Sequence, residues 1–148
     1  MEKLHFTTTI NATREKVWNV LWSDANYRAW AAVFHEGSQA QSDWKEGSKI
    51  LFTDGQGKNG LVSKIARLIP NEFMSFQHLG ELRDGVEDLE IADKEGWGFA
   101  FENYKLDAAG GDITNLTVEV DSNDAFAAYF KDKFPKALAK IKEMAEGE

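Results

Sequence analysis

The sequence predicts an α+β fold in which a curved, seven-stranded antiparallel sheet wraps around a long C-terminal helix. Leu4 to Ile10 alternates apolar and polar residues, as a half-buried strand does. Residues 37–120 then carry turn signals between short strands, without a long helical pattern. After Asp121, apolar residues recur at helical spacing almost to the end of the chain. With two short helices after the first strand, the element order is β-α-α-β6-α, in which β6 stands for six consecutive strands.

The two short helices occupy the segment between the first strand and residue 37. Asn11 or Thr13 can cap the first helix, because either side chain can accept a backbone N–H bond. Asp24 is the predicted cap of the second. The apolar positions of the two helices are Val17, Val20 and Leu21, then Tyr27, Trp30, Ala31 and Phe34.

Residues that tolerate a positive φ mark the connections between strands. They cluster at 44–47, 54–60, 70–71 and 110–112 and, with the acidic segment 81–95 as a fifth connection, they divide the central region into six strands. Residues 121–124 offer several caps for the last helix. Pro135 lies within that helix and lacks a backbone donor, so we expect a kink or a restart there.

Composition restricts the classes of function. The 148 residues are expected to form one domain, residues 1–148, with a formal charge of -8 and no cysteine. An acidic chain without a basic stripe disfavours nucleic acid as a partner. The N-terminus lacks the apolar core of a signal peptide, and no apolar run is long enough for membrane insertion. We therefore expect a cytoplasmic monomer without a cofactor.

Several packing and turn positions carry a family resemblance. The first helix opens on the pattern Ile-x-Ala-x-x-Glu-x-Val-Trp at residues 10–18, and the chain closes on PKALAKIKEMAE. With Trp30 and the strand that starts at Gly60, these segments resemble the START-like (SRPBCC) superfamily over nearly the whole chain. The chain is similar to AHSA-type single-domain homologues of the C-terminal domain of the activator of heat-shock-protein ATPase.

The resemblance implies a helix-grip fold with a cavity between the sheet and the last helix. Relatives use this cavity for lipids, sterols, polyketides and plant hormones, and some relatives are enzymes. None of the matching positions belongs to a catalytic motif. The resemblance therefore implies a ligand cavity without identifying the ligand.

Aromatic residues at strand and helix spacing are the candidate walls of that cavity. On the fifth predicted strand Met74, Phe76 and His78 share a face. On the sixth, Trp97, Phe99 and Phe101 share one, and a bulge near residues 102–103 would turn the next residues inward. The remaining predicted pocket residues are Trp30, Phe34 and Phe52, and Phe126, Tyr129, Phe130 and Phe134 on the last helix. The same pattern also fits a filled core.

Polar candidates are few. His78 lies in phase with the apolar residues of its strand and could act as a base or as a hydrogen-bond anchor. A histidine satisfied inside the fold is the alternative. The acidic segment 81–95 contains Asp84, Glu87, Asp88 and Glu90, but its spacing matches no calcium loop, so we expect a solvated loop and no metal site.

Three functions remain open on the sequence. The leading one is non-enzymatic binding of a small hydrophobic or amphipathic ligand, with His78, Tyr129 and Asn103 as candidate polar contacts. The second is a cyclase, dehydratase or hydrolase in which His78 is aided by Glu102 or Asn103. The third is a protein-interaction or stress-related, chaperone-cofactor-like module that uses the acidic surface or an exposed aromatic patch.

Overall fold

The computed structural model describes residues 2–94 and 100–147. In chain order its elements are β1 (Glu2–Ile10), α1 (Arg14–Trp22), α2 (Asp24–Ala31), β2 (Gln39–Gln41), β3 (Lys49–Thr53), β4 (Gly60–Ile69), β5 (Phe73–Arg83), β6 (Val86–Asp88), α3 (Ile91–Lys94), β7 (Ala100–Ala108), β8 (Thr114–Ser122) and α4 (Asp124–Glu146). The predicted order of two short helices, a run of strands and a closing helix is confirmed.

The strands form one antiparallel sheet in the order β1-β8-β7-β5-β4-β3-β2. This path contains the seven strands that the sequence predicts. An eighth strand of three residues, β6, pairs with β5 outside the path. It comes from the acidic segment, where residues 84–85 make a tight turn with positive φ. The expected solvated loop is therefore partly a short hairpin.

Side-chain caps fix the starts of two helices. The Thr13 hydroxyl accepts the Lys16 N–H at 3.2 Å at the start of α1. The Asn123 side chain accepts the Phe126 N–H at 3.1 Å at the start of α4. Asp24 is not a cap, because it is already the first residue of α2 and pairs with Arg28.

The last helix runs continuously through Pro135. The restart that the sequence allows is therefore absent, which is physically reasonable because proline removes one backbone donor while its neighbours keep theirs. The fully or nearly buried positions of α4 are Ala127, Phe134, Ala137, Leu138, Ile141 and Ala145. They join the core that α1, α2 and the inner face of the sheet share. Among the described helices, none has the length and apolar character needed to cross a bilayer.

The side chains of β7 follow a different phase from the predicted one. Pairing of β7 with β8 is continuous from Glu102 to Ala108, without a bulge. Tyr104 and Leu106 are buried on the inner face. Alternation therefore puts Phe101 on the outer face, which corrects its predicted inward position. Trp97 and Phe99 lie outside the described residues.

One glycine closes the β3–β4 hairpin at close range. Gly60 has a φ of 155°, and a Cβ there would lie 1.7 Å from the carbonyl oxygen of Phe52. No other residue type fits this approach without moving a strand. The hairpin borders the cavity described below, so the glycine also sets the shape of one wall.

Candidate functional site

A cavity of about 700 Å³ lies between the inner face of the sheet, α2 and the first turns of α4. Its volume is within the range of small-molecule sites. Eleven of its lining residues are aromatic: Trp22, Tyr27, Trp30, Phe34, Phe52, Phe76, Tyr104, Phe126, Tyr129, Phe130 and Phe134. The walls are therefore mainly apolar, with a small number of polar groups between the rings.

Nine of the predicted pocket residues line this cavity. They are Trp30, Phe34, Phe52, Phe76, His78, Phe126, Tyr129, Phe130 and Phe134. Met74 faces the same way but lies deeper, in the filled part of the core. The predicted residues of the last helix and of the fifth predicted strand therefore meet at the cavity, as the periodicity indicates. Of the three predicted on the sixth strand, Phe101 faces outward, as the phase of β7 requires, and Trp97 and Phe99 lie outside the described residues.

The first turns of α4 form part of the rim. Phe126 is 47% exposed although it lines the cavity. The Tyr129 hydroxyl donates to the carbonyl of Phe34 at 2.7 Å and so connects α4 to the segment after α2. The exposed ring of Phe126 therefore lies at an opening of the cavity beside the first turns of α4.

The floor is a cluster of rings around Trp22, the last residue of α1. Its ring centroid is 4.9 Å from Tyr104 and 5.3 Å from Phe76, and both pairs meet edge to face. Trp30 satisfies its indole N–H by donating to the carbonyl of Leu21 at 3.1 Å. The buried indole N–H of Trp22 has no hydrogen-bond partner among the described residues.

A chain of polar side chains crosses three neighbouring strands beside this floor. Ser63 Oγ on β4 lies 2.6 Å from His78 Nδ1 on β5, and His78 Nε2 lies 3.1 Å from Glu102 Oε1 on β7. The hydroxyl of Tyr104 donates to the other oxygen of Glu102. With the Nε2–H of His78 donating to the carboxylate, Nδ1 accepts the hydroxyl proton of Ser63, and every group is satisfied.

This geometry changes the roles expected from the sequence. Both ring nitrogens of His78 are engaged within the protein, so the imidazole is held as a positioning group. Ser63 is fully buried and does not line the cavity, which disqualifies it as a nucleophile. Glu102 lines the cavity and keeps 21% of its side chain exposed, so its carboxylate is the polar group available to a ligand.

The negative charge of Glu102 affects the pKa values of two tyrosines. Burial raises the pKa of Tyr104 well above its ordinary value of 10, and the negative charge of Glu102 raises it further. Burial and the same charge also raise the pKa of Tyr27. Both phenols are therefore neutral donors. The Tyr27 side chain is 8% exposed and lines the cavity, and its hydroxyl has no hydrogen-bond partner among the described residues.

Three further carboxylates line the cavity, and each already has partners. Asp121 pairs with Lys3 at 3.3 Å, and Glu81 pairs with Arg83 at 2.8 Å. Asp54 accepts N–H groups of its own turn, and these bonds hold the pKa of its carboxyl below the usual value. No lysine or arginine is among the described residues that line the cavity.

The acidic segment has local structural roles. Asp88 accepts the N–H groups of residues 90 and 91 at the start of α3, and Glu87 pairs with Lys49 at 2.6 Å. Within residues 2–94 and 100–147, no three His, Asp or Glu side chains come together as metal ligands would.

Sequence reasoning missed Trp22, Tyr27 and Glu102 as the centre of the site. Trp22 is the last residue of α1 and was not counted in its apolar pattern, whereas Tyr27 was counted on the apolar face of the second helix but not as a cavity residue. Glu102 was named only as an aid to a histidine. Asn103, named beside it, points to the outer face of β7 and does not line the cavity. If the inward alternation of Leu106 and Tyr104 is extended back along the strand without a bulge, it predicts that Glu102 also faces inward.

Comparison with known proteins adds a family. The family model described as "Activator of Hsp90 ATPase homolog 1-like protein" matches residues 11–146. No curated protein sequence is significantly similar to the chain.

Solved structures are similar in fold at low sequence identity. The solution structure of the Aha1 dimer from Colwellia psychrerythraea has a TM-score of 0.72 and 22% identity, over 99% of this chain and 97% of that one. CalU16 from Micromonospora echinospora has a TM-score of 0.67 and 15% identity, over 98% and 74%. DynU16, a putative protein of the dynemicin biosynthetic locus, has a TM-score of 0.69 and 13% identity, over 100% and 49%. At these identities the likeness establishes the helix-grip fold alone.

Proposed function

The chain belongs to the family of activator of Hsp90 ATPase homolog 1-like proteins, and from its cavity we propose that it binds a small hydrophobic or amphipathic molecule. The observation that carries the proposal is the cavity of about 700 Å³ with eleven aromatic lining residues. An apolar site of this size gains roughly 25 cal/mol for each Å² of apolar surface that a ligand removes from water. Lipid-, sterol- and polyketide-like molecules are the classes that match these walls.

The proposal includes a cytoplasmic, monomeric protein. The cavity opens beside the start of α4, and its described lining residues all come from one copy of the chain. Because the Colwellia structure is described as a dimer, light scattering on the purified protein is the test of the monomer. A concentration-independent mass of one chain supports the proposal, and a dimer overturns this part of it.

A cavity-histidine enzyme is the weaker candidate. A general base needs a nitrogen that can reach the substrate, and both nitrogens of His78 are already engaged. A protein-interaction module is supported by Val86 and Leu89, two exposed apolar residues within the acidic segment. Two separate exposed apolar side chains are ordinary for a protein surface, so this candidate also ranks below ligand binding.

Filling the cavity tests the binding function directly. Ala100 lines the cavity and is buried on the inner face of β7, whereas Lys105 is exposed on the outer face of the same strand. We expect the neutral probe Nile red to bind the wild-type protein saturably, with a rise in its fluorescence. The Ala100→Phe substitution is expected to weaken binding about fivefold, or ~1 kcal/mol. Lys105→Phe, which adds the same ring outside, is expected to leave binding unchanged.

The melting temperatures of both variants show whether they remain folded. The proposal is supported if both variants are folded and Ala100→Phe weakens Nile red binding more than Lys105→Phe does. Equal binding by the wild type and Ala100→Phe overturns it, because the probe would then lie elsewhere. A complete absence of saturable binding by the wild type overturns it as well.

A further inference from the structure

We propose that the cavity selects amphiphiles with a positively charged amine or ammonium head group, and that Glu102 is the residue that recognises the head. This inference rests on the proposed function, because it names the ligand class for the same cavity. It begins from the charge of the lining. Four carboxylates and no lysine or arginine are among the described lining residues, so an anionic head group meets repulsion and finds no salt-bridge partner.

Glu102 differs from the other three carboxylates in its partners. Asp121 and Glu81 have cationic partners, and Asp54 is engaged by its own turn. The described partners of Glu102 are the hydroxyl of Tyr104 and the imidazole of His78. Its negative charge is therefore positioned by hydrogen bonds and lacks a lysine or arginine partner in the described part of the chain.

The groups around Glu102 suit a cation. Tyr27 and Tyr104 line the cavity and are close enough for the charge of Glu102 to raise the pKa of each. Trp22 packs against both rings, with centroids 6.4 Å and 4.9 Å away. A carboxylate bordered by electron-rich rings combines an ion pair with cation–π attraction, which is the chemistry that recognises alkylammonium groups.

The orphan hydroxyl of Tyr27 is a second, independent feature. Its side chain is more than nine-tenths buried, lines the cavity and has no partner among the described residues. The hydroxyl oxygen is not among the fully buried unpaired atoms, so it borders the cavity, where it can donate to a ligand atom. We expect a hydroxyl, ether or ester oxygen near the ammonium group to accept this hydrogen bond. The apolar tail then occupies the aromatic part of the cavity toward Phe130 and Phe134.

Head-group exchange at constant chain length tests the inference. Decylamine, decanol and decanoate share one tail and differ in head charge, and calorimetric titration at about pH 8 keeps histidine side chains ordinarily neutral. We expect wild-type protein to bind decylamine at least tenfold more tightly than decanoate, which corresponds to ~1.4 kcal/mol, with decanol between them. The Glu102→Gln variant is expected to bring decylamine and decanoate within about threefold.

Glu119→Gln is the matched control. It removes the same charge from the outer face of β8, where Glu119 lies 3.6 Å from His5, outside the cavity lining. We expect the tenfold preference to survive in this variant. A decanoate affinity equal to or above that of decylamine overturns the inference, as does a preference that persists in folded Glu102→Gln.

The two levels of the proposal fail differently. If decanol binds and the three head groups bind equally, the binding function stands and the head-group inference is wrong. If none of the three ligands binds, the proposed function itself fails, and the inference fails with it.

Discussion

Removing the hydroxyl of Ser63 tests whether the polar chain beside the cavity is a supporting structure. Ser63 Oγ lies 2.6 Å from His78 Nδ1, and both residues are buried. The Ser63→Ala substitution deletes a single oxygen and creates almost no cavity. Its effect on stability therefore reports the hydrogen bond and the imidazole nitrogen that loses its partner.

The expected loss follows from the burial of that nitrogen. A buried polar atom deprived of its partner costs about 1–3 kcal/mol, more than the net value of a typical hydrogen bond, because water does not replace the partner. His78 is 8% exposed, so we expect a loss near the middle of this range, about 2 kcal/mol. For a domain of about this size, that loss lowers the melting temperature by roughly 4–8 °C.

Urea unfolding followed by circular dichroism measures the loss, and Thr53→Val is the matched control. Thr53 is 5% exposed and lines the same cavity, but its buried hydroxyl has no partner among the described residues. Replacing that hydroxyl with a methyl group removes an unsatisfied atom, so we expect about 1 kcal/mol of stabilisation. Opposite signs for the two hydroxyl deletions are the expected result. A loss below about 0.5 kcal/mol in Ser63→Ala would show that the hydrogen bond between Ser63 and His78 does not support the stability of the fold.

Two further predictions concern the β3–β4 hairpin at the cavity wall. Gly60→Ala is expected to lower the free energy of unfolding by at least about 3 kcal/mol, because its Cβ would lie 1.7 Å from the Phe52 carbonyl oxygen. Gly85→Ala is the control, since a Cβ there meets no atom within 4 Å, and it should cost about 1 kcal/mol. Chemical unfolding measures both losses. For Asp54, the Lys58 N–H holds the carboxyl pKa below 3.8, so the stability it supplies is present above that value and is lost as the pH falls through the folded-state pKa. Asp54→Asn should therefore flatten the fall in melting temperature below pH 3.8. An unchanged pH profile would refute this role.

The fold could be predicted because its signals are local. The alternation of β1, the cap at Thr13 and the turn residues at 110–112 each act within a few residues of chain, and each is present in the structure. The short strand β6 is not predicted because three residues, two exposed and one half-buried, are too few to show an alternating burial pattern. The phase of β7 was misread because aromatic residues were assumed to face inward, although the neighbouring Tyr104 and Leu106 fix the opposite alternation.

The centre of the site could not be predicted in the same way. Ser63, His78 and Glu102 are separated by 15 and 24 residues, so no motif of fixed spacing connects them. They meet because β5 lies between β4 and β7 in the sheet, and strand order is a tertiary property. A sequence shows that His78 has an inward phase, but only the pairing of three strands shows that both of its nitrogens are already engaged.

The cavity itself follows from how unevenly α4 is attached. At its C-terminal end, Lys142 donates to the Thr9 carbonyl and Glu146 accepts the Asn11 N–H at 2.8 Å. Ala137 and Ala145 are buried there, and small side chains let the helix approach the sheet closely.

At the N-terminal end Ala127 is also buried, but the side chains that face the cavity are large rings. Phe130 and Phe134 stand between the helix and the sheet, and Phe134 stacks on Phe6 with ring centroids 5.0 Å apart. The residues of α4 that line the cavity are Phe126, Tyr129, Phe130 and Phe134, and none after Phe134 does so among the described residues. The cavity therefore opens along the first turns of α4, whereas the second half of the helix, with Ala137 and Ala145 buried, packs in the core.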